Sequence, residues 1–301
     1  MNREESRIRA YARRAAFTLV EVLVIISIVL LLLSLLLPAV QAARGAARRV
    51  HCANNFRQVA LGLALHHDVH KRFPPATDSI MGSRRWQGWP AKLLPFVEQQ
   101  ALAETIASDY SRSNDPFDSV THPGLSKPLS NFACVEDSRT LSTQISRIHG
   151  YPVGCMAMQG NSGRSGSLGD GVLFYDSRIR YADVLDGTSQ TLLFGERPPS
   201  VGVDYGWWYA GAGSWGGTLD HHIGAVESSR TRYGVCTKPT LRFQQGSIHD
   251  ECSASHFWSL HWGGAHFARV DGSVQFMSYN AVELIELLAT RAGQEILNAP
   301  Y

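Results

Sequence analysis

The sequence lacks the compact signatures by which many enzymes are recognised. It contains no P-loop, no nucleophile-elbow sequence and no paired catalytic carboxylates. No internal repeat of fixed period is visible. We therefore expect neither an enzyme nor a bound cofactor.

The sequence also lacks a large excess of either positive or negative charge. The 28 Lys and Arg residues and the 26 Asp and Glu residues give a formal net charge of +2 over 301 residues. Five Arg and two Glu lie in residues 1–16, which accounts for +3 and leaves the rest of the chain near −1. No basic stripe with interleaved aromatic residues is present, so we expect no nucleic-acid partner.

The five cysteines lack the close pairs typical of zinc and iron–sulfur sites, so the sequence predicts no metal site. In an extracytoplasmic domain some of them should form disulfides. The most local pair, Cys236 and Cys252, would close a loop of about 15 residues and contribute about 3 kcal/mol. Cys134 and Cys155 are the next candidate pair, which leaves Cys52 packed beneath the domain. A Cys52–Cys134 bond is the alternative.

What the sequence does have is a long apolar stretch near its start. Residues 22–37 contain two serines as their only polar members and approach the ~20 residues of a membrane-spanning helix. A signal-anchor preceded by Arg13 and Arg14 would follow the positive-inside rule. A signal peptide cleaved after Ala42 is a second interpretation. Neither accounts for Glu21, a carboxylate at the edge of the apolar stretch.

Residues 13–21, Arg-Arg-Ala-Ala-Phe-Thr-Leu-Val-Glu, resemble the leader-peptide site of type IV pilins and type II secretion pseudopilins. The resemblance implies that a prepilin peptidase cuts between Ala16 and Phe17 and methylates the new amine. Glu21 is then the fifth mature residue, and the proline of that family at mature position 22 corresponds to Pro38. The chain departs from the family at Ala16, where glycine is usual.

The same resemblance implies a mode of assembly. A carboxylate in hydrocarbon needs a partner, and the α-amine of Phe17 on a neighbouring subunit would supply one to Glu21. The expected partners are the prepilin peptidase, the inner-membrane secretion or pilus assembly proteins, and further pseudopilins of the same or another kind. The chain would be a single-pass inner-membrane protein with a cytoplasmic leader and a periplasmic domain.

The fold class we predict is α+β and pilin-like, with a long N-terminal transmembrane helix packed on an antiparallel sheet. Residues 1–16 would form the leader, 17–38 the assembly helix, 39–72 its amphipathic continuation and 73–301 the globular domain. The continuation should dock on the domain through one stripe, formed by Cys52, Phe56, Val59, Leu63, His66 and His70.

Three further elements are predicted within the globular domain. Helices are expected at about residues 95–108 and 281–297. Asp271-Gly272 favours a two-residue turn that joins a strand at residues 266–270 to one at residues 273–277. The pairing of these two strands would place Phe267 opposite Phe276.

A second resemblance covers most of the chain. It rests on residues 52–66, which begin Cys-Ala-Asn-Asn-Phe, on Phe73-Pro-Pro75, and on His261 followed after nine residues by Asp271-Gly272. Further pieces lie at residues 94–102, 186–191, 195–199 and 289–293. Together they resemble a large bacterial family of unknown function that joins a pilin-like N-terminus to a domain ending in this His–Asp-Gly motif.

Two histidine pairings offer candidate chemistry. His66 and His70 have the i, i+4 spacing of metal ligands on a helix, but they lie on the docking stripe and no zincin glutamate follows. His261 and Asp271 could form a catalytic dyad, although no nucleophile motif accompanies them. We favour structural roles for both pairs, with Asp271 serving the turn.

The loop around residue 210 is rich in tryptophan and glycine. Residues 211–216 formally match a dinucleotide fingerprint but lack the strand and helix that it requires. Residues 207–209 and Trp215 could stack on sugars, or could anchor a core. The prediction is thus a pseudopilin-like subunit. A membrane-anchored glycan- or cargo-binding module is the first alternative, and an enzyme using His261 and Asp271 is the second.

Overall fold

A computed structural model describes residues 18–79, 81–211, 219–228, 236, 238 and 240–294. The predicted leader and its cleavage site, Ala16 and Phe17, lie outside the described residues. The chain divides into two compact units, residues 1–47 and 48–301. The first helix, α1, comprises Leu19–His70 and contributes to both units.

In the first unit, the apolar side chains of α1 are exposed to the surroundings. The helix is long and apolar enough to cross a membrane and is a candidate anchor or signal sequence. Pro38 lies within the helix. It has no N–H to donate to the carbonyl four residues earlier, so one helical hydrogen bond is missing there.

The start of α1 is closed by a reciprocal cap between Thr18 and Glu21. The Thr18 backbone N–H and hydroxyl donate to Glu21 Oε2 at 2.8 and 2.9 Å, and the Glu21 N–H donates to Thr18 Oγ1 at 3.2 Å. This is a capping box, in which the side chains of a threonine and of a glutamate three residues later each accept a hydrogen bond from the other residue's backbone N–H. Glu21 therefore has a partner within its own helix that sequence analysis missed.

In the second unit, the docking stripe is confirmed for five of its six residues. Cys52, Phe56, Val59, Leu63 and His66 are buried, whereas His70 is exposed. Residues on the opposite face of the helix are exposed, including Val50 at 58% and Leu61 at 60%. The helix ends at His70, where Lys71 adopts a positive φ of 58° and two prolines follow.

The domain is α+β, as predicted, but its main sheet is mixed. The strands in the described residues are β1 (Gln144–Ile145), β2 (Pro152–Val153), β3 (Met158–Asn161), β4 (Leu192–Glu196), β5 (His222–Ile223), β6 (Gly264–Arg269) and β7 (Val274–Ser278). The main sheet has five of them in the order β5-β3-β4-β6-β7, and β3 pairs with the edge strand β5 in parallel while the other pairs are antiparallel. A separate two-stranded sheet pairs β1 with β2.

The β6–β7 hairpin has a different register from the one predicted. His266, not Phe267, lies opposite Phe276. The Arg269 N–H donates to the Ser273 carbonyl at 2.9 Å, which leaves three residues in the loop. Gly272, with φ of 84°, supplies the left-handed residue that ends such a loop. The predicted loop was one residue shorter than the observed one, and this difference shifts every predicted cross-strand pair by one residue.

In the described residues, three α-helices follow α1. They are α2 (Trp89–Leu93), which was not predicted, and α3 (Gln100–Arg112) and α4 (Val282–Leu288), which are displaced or shorter relative to prediction. The helix predicted from residue 95 begins later because Glu98 has a positive φ of 61°. The last helix stops at Leu288 because the backbone of Arg291 bonds to the loops at Leu185 and Asp170 instead.

Candidate functional site

Four buried side chains meet where α1 crosses the main sheet of the second unit. Cys52, Cys134, Glu196 and His261 each point one donor atom into this space, and the four atoms lie within 4.8 Å of one another. We call these four residues the donor cluster. In the part of the chain that the structure describes, no other group of three or more such residues converges in this way.

Each member of the donor cluster comes from a different element. Cys52 lies on the buried face of α1, and Glu196 is the last residue of β4. His261 lies in the loop before β6, and Cys134 follows a short 3-10 turn at residues 130–132. The convergence therefore depends on the tertiary fold and not on any local motif.

Asn55 fixes the loop that carries Cys134. Its side-chain amide donates to the backbone carbonyls of Ser130 at 2.9 Å and Ala133 at 3.0 Å. One helical turn of α1 thus holds both Cys52 and the amide that positions the opposing cysteine.

The separations within the cluster are short. Cys52 Sγ and Cys134 Sγ are 2.8 Å apart, and Cys134 Sγ lies 3.5 Å from His261 Nε2. His261 Nε2 is 3.4 Å from Glu196 Oε1. Within the described residues that oxygen receives no hydrogen bond, although Glu196 is only 1% exposed. A buried carboxylate oxygen in this position faces the sulfur and imidazole atoms directly.

A second layer of polar groups surrounds the cluster. The His266 backbone N–H donates to Glu196 Oε2 at 2.9 Å, and its ring Nδ1 lies 3.0 Å from the same oxygen. On the other side, His261 Nδ1 faces Glu136 Oε1 at 3.9 Å, and Arg48 binds that oxygen at 2.6 Å. The Glu196 carboxylate is thereby oriented by His266, and the His261 ring has a carboxylate near its other nitrogen, beyond hydrogen-bonding distance.

The contacts within the cluster favour the ionised forms of Cys52, Glu196 and His261 and the neutral thiol of Cys134. A hydrogen bond from Cys134 lowers the pKa of the Cys52 thiol to about 5, against the opposing effect of burial, and the same contact raises the pKa of Cys134. Burial alone would raise the pKa of Glu196, but its contacts with the rings of His261 and His266 lower it to about 2.

The imidazole of the cluster carries the compensating charge. Burial lowers the pKa of His261, but its contacts with Cys52 and Glu196 outweigh that effect and raise the pKa to about 10. A thiolate beside an imidazolium is the arrangement of nucleophilic cysteines. Cys52 is only 1% exposed, so no substrate reaches its sulfur. The donor atoms of the cluster are of the types that hold a cation.

The proposed dyad of His261 and Asp271 is not formed. The two residues flank opposite ends of β6, which spans roughly 20 Å at ~3.3 Å per residue. Asp271 accepts a hydrogen bond from the Ser273 N–H at 2.9 Å, as expected of a turn residue. The second alternative function, an enzyme using this pair, therefore has no geometric basis.

The cysteines divide into one disulfide and three free thiols. Cys236 and Cys252 are bonded, as predicted. The predicted Cys134–Cys155 bond is wrong, because Cys134 faces Cys52 while Cys155 is buried separately in the main core. Of the two alternatives, only the Cys52–Cys134 pairing has its sulfur atoms in contact.

The other candidate sites have structural explanations. The rings of His66 and His70 lie against each other with centroids 4.3 Å apart, and His66 Nδ1 lies 3.2 Å from the Arg72 carbonyl. They border a cleft of about 640 Å³ whose wall includes the Lys92–Asp78 ion pair. The pair does not converge with a third metal-ligating residue in the described chain.

The tryptophan-rich loop is largely core. Trp207, Trp208 and Tyr209 are each at most 1% exposed, so they cannot stack on a sugar. Trp215 and most of the glycine-rich segment at residues 211–216 lie outside the described residues. The glycan-binding alternative thus loses the three aromatic residues that best supported it.

The pieces of sequence quoted for the second resemblance contain three of the four cluster residues. Residues 52–66 include Cys52, residues 195–199 include Glu196, and the His–Asp-Gly motif begins at His261. Only Cys134 lies outside them. The signal for the site was present in these pieces, but nothing in their spacing indicated that they meet.

The chain thus combines an apolar N-terminal helix with an α+β domain that contains a buried Cys-Cys-Glu-His cluster. The family model described as protein of unknown function (DUF1559) matches residues 41–282, and the chain belongs to that family. No curated protein and no solved structure matches the chain.

Proposed function

We propose that the protein is a pseudopilin-like subunit of a type II secretion or type IV pilus-like filament in the inner membrane. The observation that carries the proposal is the first part of α1, where a continuous apolar surface is exposed along with a single carboxylate, Glu21, near its start. Such a surface requires a membrane or neighbouring helices to cover it.

Three further features support the proposal. The pilin-like cleavage sequence precedes the helix, and Pro38 stands at the family's expected position within it. The Cys236–Cys252 disulfide suits a domain outside the cytoplasm. In this arrangement the prepilin peptidase removes residues 1–16, and the Phe17 amine of one subunit pairs with Glu21 of the next.

The cap between Thr18 and Glu21 gives the carboxylate a competing local role. Glutamine can serve in a capping box as well as glutamate, so Glu21→Gln keeps the cap and removes the charge. Thr18→Ala removes the cap and keeps the charge. The two variants therefore separate helix capping from pairing between subunits.

The experiment follows filament or subunit crosslinking in membranes of cells that make the full chain, together with N-terminal mass spectrometry. We expect a mature chain that begins at methylated Phe17, loss of crosslinked multimers in Glu21→Gln, and their retention in Thr18→Ala. A chain that begins at Met1, or normal multimers in Glu21→Gln with loss in Thr18→Ala, would contradict the proposal.

A further inference from the structure

We infer that the donor cluster is a structural Zn²⁺ site, in which Cys52 Sγ, Cys134 Sγ, Glu196 Oε1 and His261 Nε2 bind the ion and fasten α1 to the main sheet. The inference goes beyond the filament role proposed above and does not depend on it.

The donor atoms have the chemistry and spacing that zinc requires. Tetrahedral zinc, bound to sulfur near 2.3 Å and to nitrogen near 2.0 Å, holds its donor atoms roughly 3.3–3.8 Å apart. Two of the measured separations, 3.5 and 3.4 Å, agree with that geometry. The Cys52–Cys134 separation of 2.8 Å is shorter than this, so zinc binding would move the two sulfur atoms apart by roughly 1 Å.

The orientation of Glu196 distinguishes an ion site from a simple pair of cysteines. A disulfide between Cys52 and Cys134 would leave Glu196 Oε1 buried beside two neutral sulfur atoms, with only the 3.4 Å contact to His261 Nε2 to stabilise its charge. That oxygen accepts no hydrogen bond from any residue that the structure describes. Its contact with His261 Nε2, at 3.4 Å, is longer than an ordinary hydrogen bond and compensates poorly for the loss of water, whereas direct coordination to a cation would compensate for it.

The polar groups around the cluster resemble those that surround metal ligands in proteins. A histidine ligand usually presents its other ring nitrogen to a carboxylate, and His261 Nδ1 faces Glu136. A ligating carboxylate is usually hydrogen-bonded through its other oxygen, and Glu196 Oε2 is held by His266. Both supports are on the side away from the proposed ion.

The site is closed, which indicates a structural and not a catalytic role. Cys52, Cys134, Glu196 and His261 are between 1% and 5% exposed. Four protein donors fill a tetrahedral shell and leave no position for water or substrate. Two thiolates, an imidazole and a carboxylate favour zinc over the oxygen-loving Mg²⁺ and Ca²⁺. Binding displaces the remaining protons from the thiols and from His261 Nε2, so the reaction releases protons and no redox change occurs.

The zinc would crosslink segments that are far apart in the chain. Cys52 and Cys134 are 82 residues apart, and His261 is 127 residues beyond Cys134. An ion that joins them contributes to folding because the site does not exist in the unfolded chain. Cys52, the ligand on α1, lies four residues after Arg48, the first residue of the second unit, so the ion would fasten the first turns of α1 within that unit.

The test uses the full chain purified in detergent without chelator, under anaerobic conditions. Elemental analysis should find about one zinc per chain, and denatured protein should show free thiols at Cys52 and Cys134. Cys52→Ser, Glu196→Gln and His261→Ala should each lower zinc occupancy at least tenfold. The matched control Cys155→Ser, at a buried thiol outside the cluster, should retain zinc.

A second measurement covers variants that fail to fold. Zinc in the wild-type chain is exchanged for Co²⁺, which should give the visible bands of tetrahedral cobalt and a thiolate charge-transfer band. The same spectrum is expected from Cys155→Ser. A Cys52–Cys134 disulfide found by peptide mapping, stoichiometric iron or copper in place of zinc, or zinc that persists in Cys52→Ser would each overturn the assignment.

Discussion

His266 holds Glu196 with two groups at once. Its backbone N–H and its ring Nδ1 both reach Glu196 Oε2, at 2.9 and 3.0 Å, across the β4–β6 pair. The ring contact requires the proton on Nδ1. The strand next to β4 therefore fixes the direction in which the other carboxylate oxygen points.

The first prediction concerns this positioning role. In His266→Ala the backbone contact remains but the ring contact is lost, so Glu196 gains rotational freedom. If the cluster binds zinc, we expect affinity to fall about 10–100-fold, as for other changes in residues that orient ligands. Competition with a chromophoric chelator measures the affinity. His266→Gln, whose amide can donate to the same oxygen, should restore part of it, whereas equal loss in both variants would show that only packing matters.

The second prediction concerns Asn55, which ties α1 to the loop before Cys134. Asn55→Ala removes two hydrogen bonds to backbone carbonyls, at least one of which is buried. We expect the free energy of unfolding to fall by about 1–3 kcal/mol, because an unsatisfied buried carbonyl is unfavourable. Urea denaturation followed by circular dichroism measures the change.

The neighbouring asparagine offers a matched control for that substitution. Asn54 is exposed and its side chain contacts Arg57 on the same helix. Asn54→Ala should change stability by no more than about 0.5 kcal/mol. Equal effects of the two substitutions would show that the Asn55 amide does not secure the loop.

Much of this organisation follows from the sequence. The helical period placed Cys52, Phe56 and Val59 on the buried face of α1 because one continuous helix needs no long-range information. The disulfide between Cys236 and Cys252 followed from their proximity along the chain.

The donor cluster could not be predicted because no two of its members lie close together in the sequence. Metal sites recognised from sequence have two ligands within a few residues of each other, whereas Cys134 and His261 are 127 residues apart. Because the sequence has no close cysteine pairs, we predicted no metal site, and no pattern in the sequence indicated that these four residues meet. The Thr18–Glu21 cap could have been predicted, because a threonine followed by a glutamate three residues later is the sequence pattern of a capping box. Instead, the Glu21 carboxylate was assigned only to pairing between subunits.

The third prediction concerns the three-residue loop between β6 and β7. Gly272 has a φ of 84°, in the left-handed region, and a Cβ added there would meet no atom within 4 Å. Gly272→Ala should therefore destabilise the domain through backbone strain alone, by about 1–2 kcal/mol. Ser273→Ala, at the adjacent exposed residue, should be close to neutral in the same thermal unfolding measurement. A neutral Gly272→Ala would mean that the loop readily adopts another turn.

The fourth prediction concerns acid stability and rests on histidines outside the donor cluster. Burial lowers the pKa of His222 and of His256 to about 4 from the usual 6.5. Between those two pH values the unfolded chain binds more protons than the folded one, so stability falls as the pH decreases from 6.5 towards 4. At pH 5 each histidine should reduce the free energy of unfolding by on the order of 2 kcal/mol relative to pH 7.5.

Thermal unfolding of the full chain in detergent across this range measures the effect, and His256→Gln provides the comparison. Its ring Nδ1 lies 3.0 Å from the Phe257 carbonyl, a contact that the glutamine amide can reproduce without a titrating group. The variant should therefore lose less stability than the wild type between pH 7.5 and 5, whatever its stability at neutral pH. Identical pH profiles would show that His256 keeps an ordinary pKa in the folded chain and that the acid sensitivity arises elsewhere.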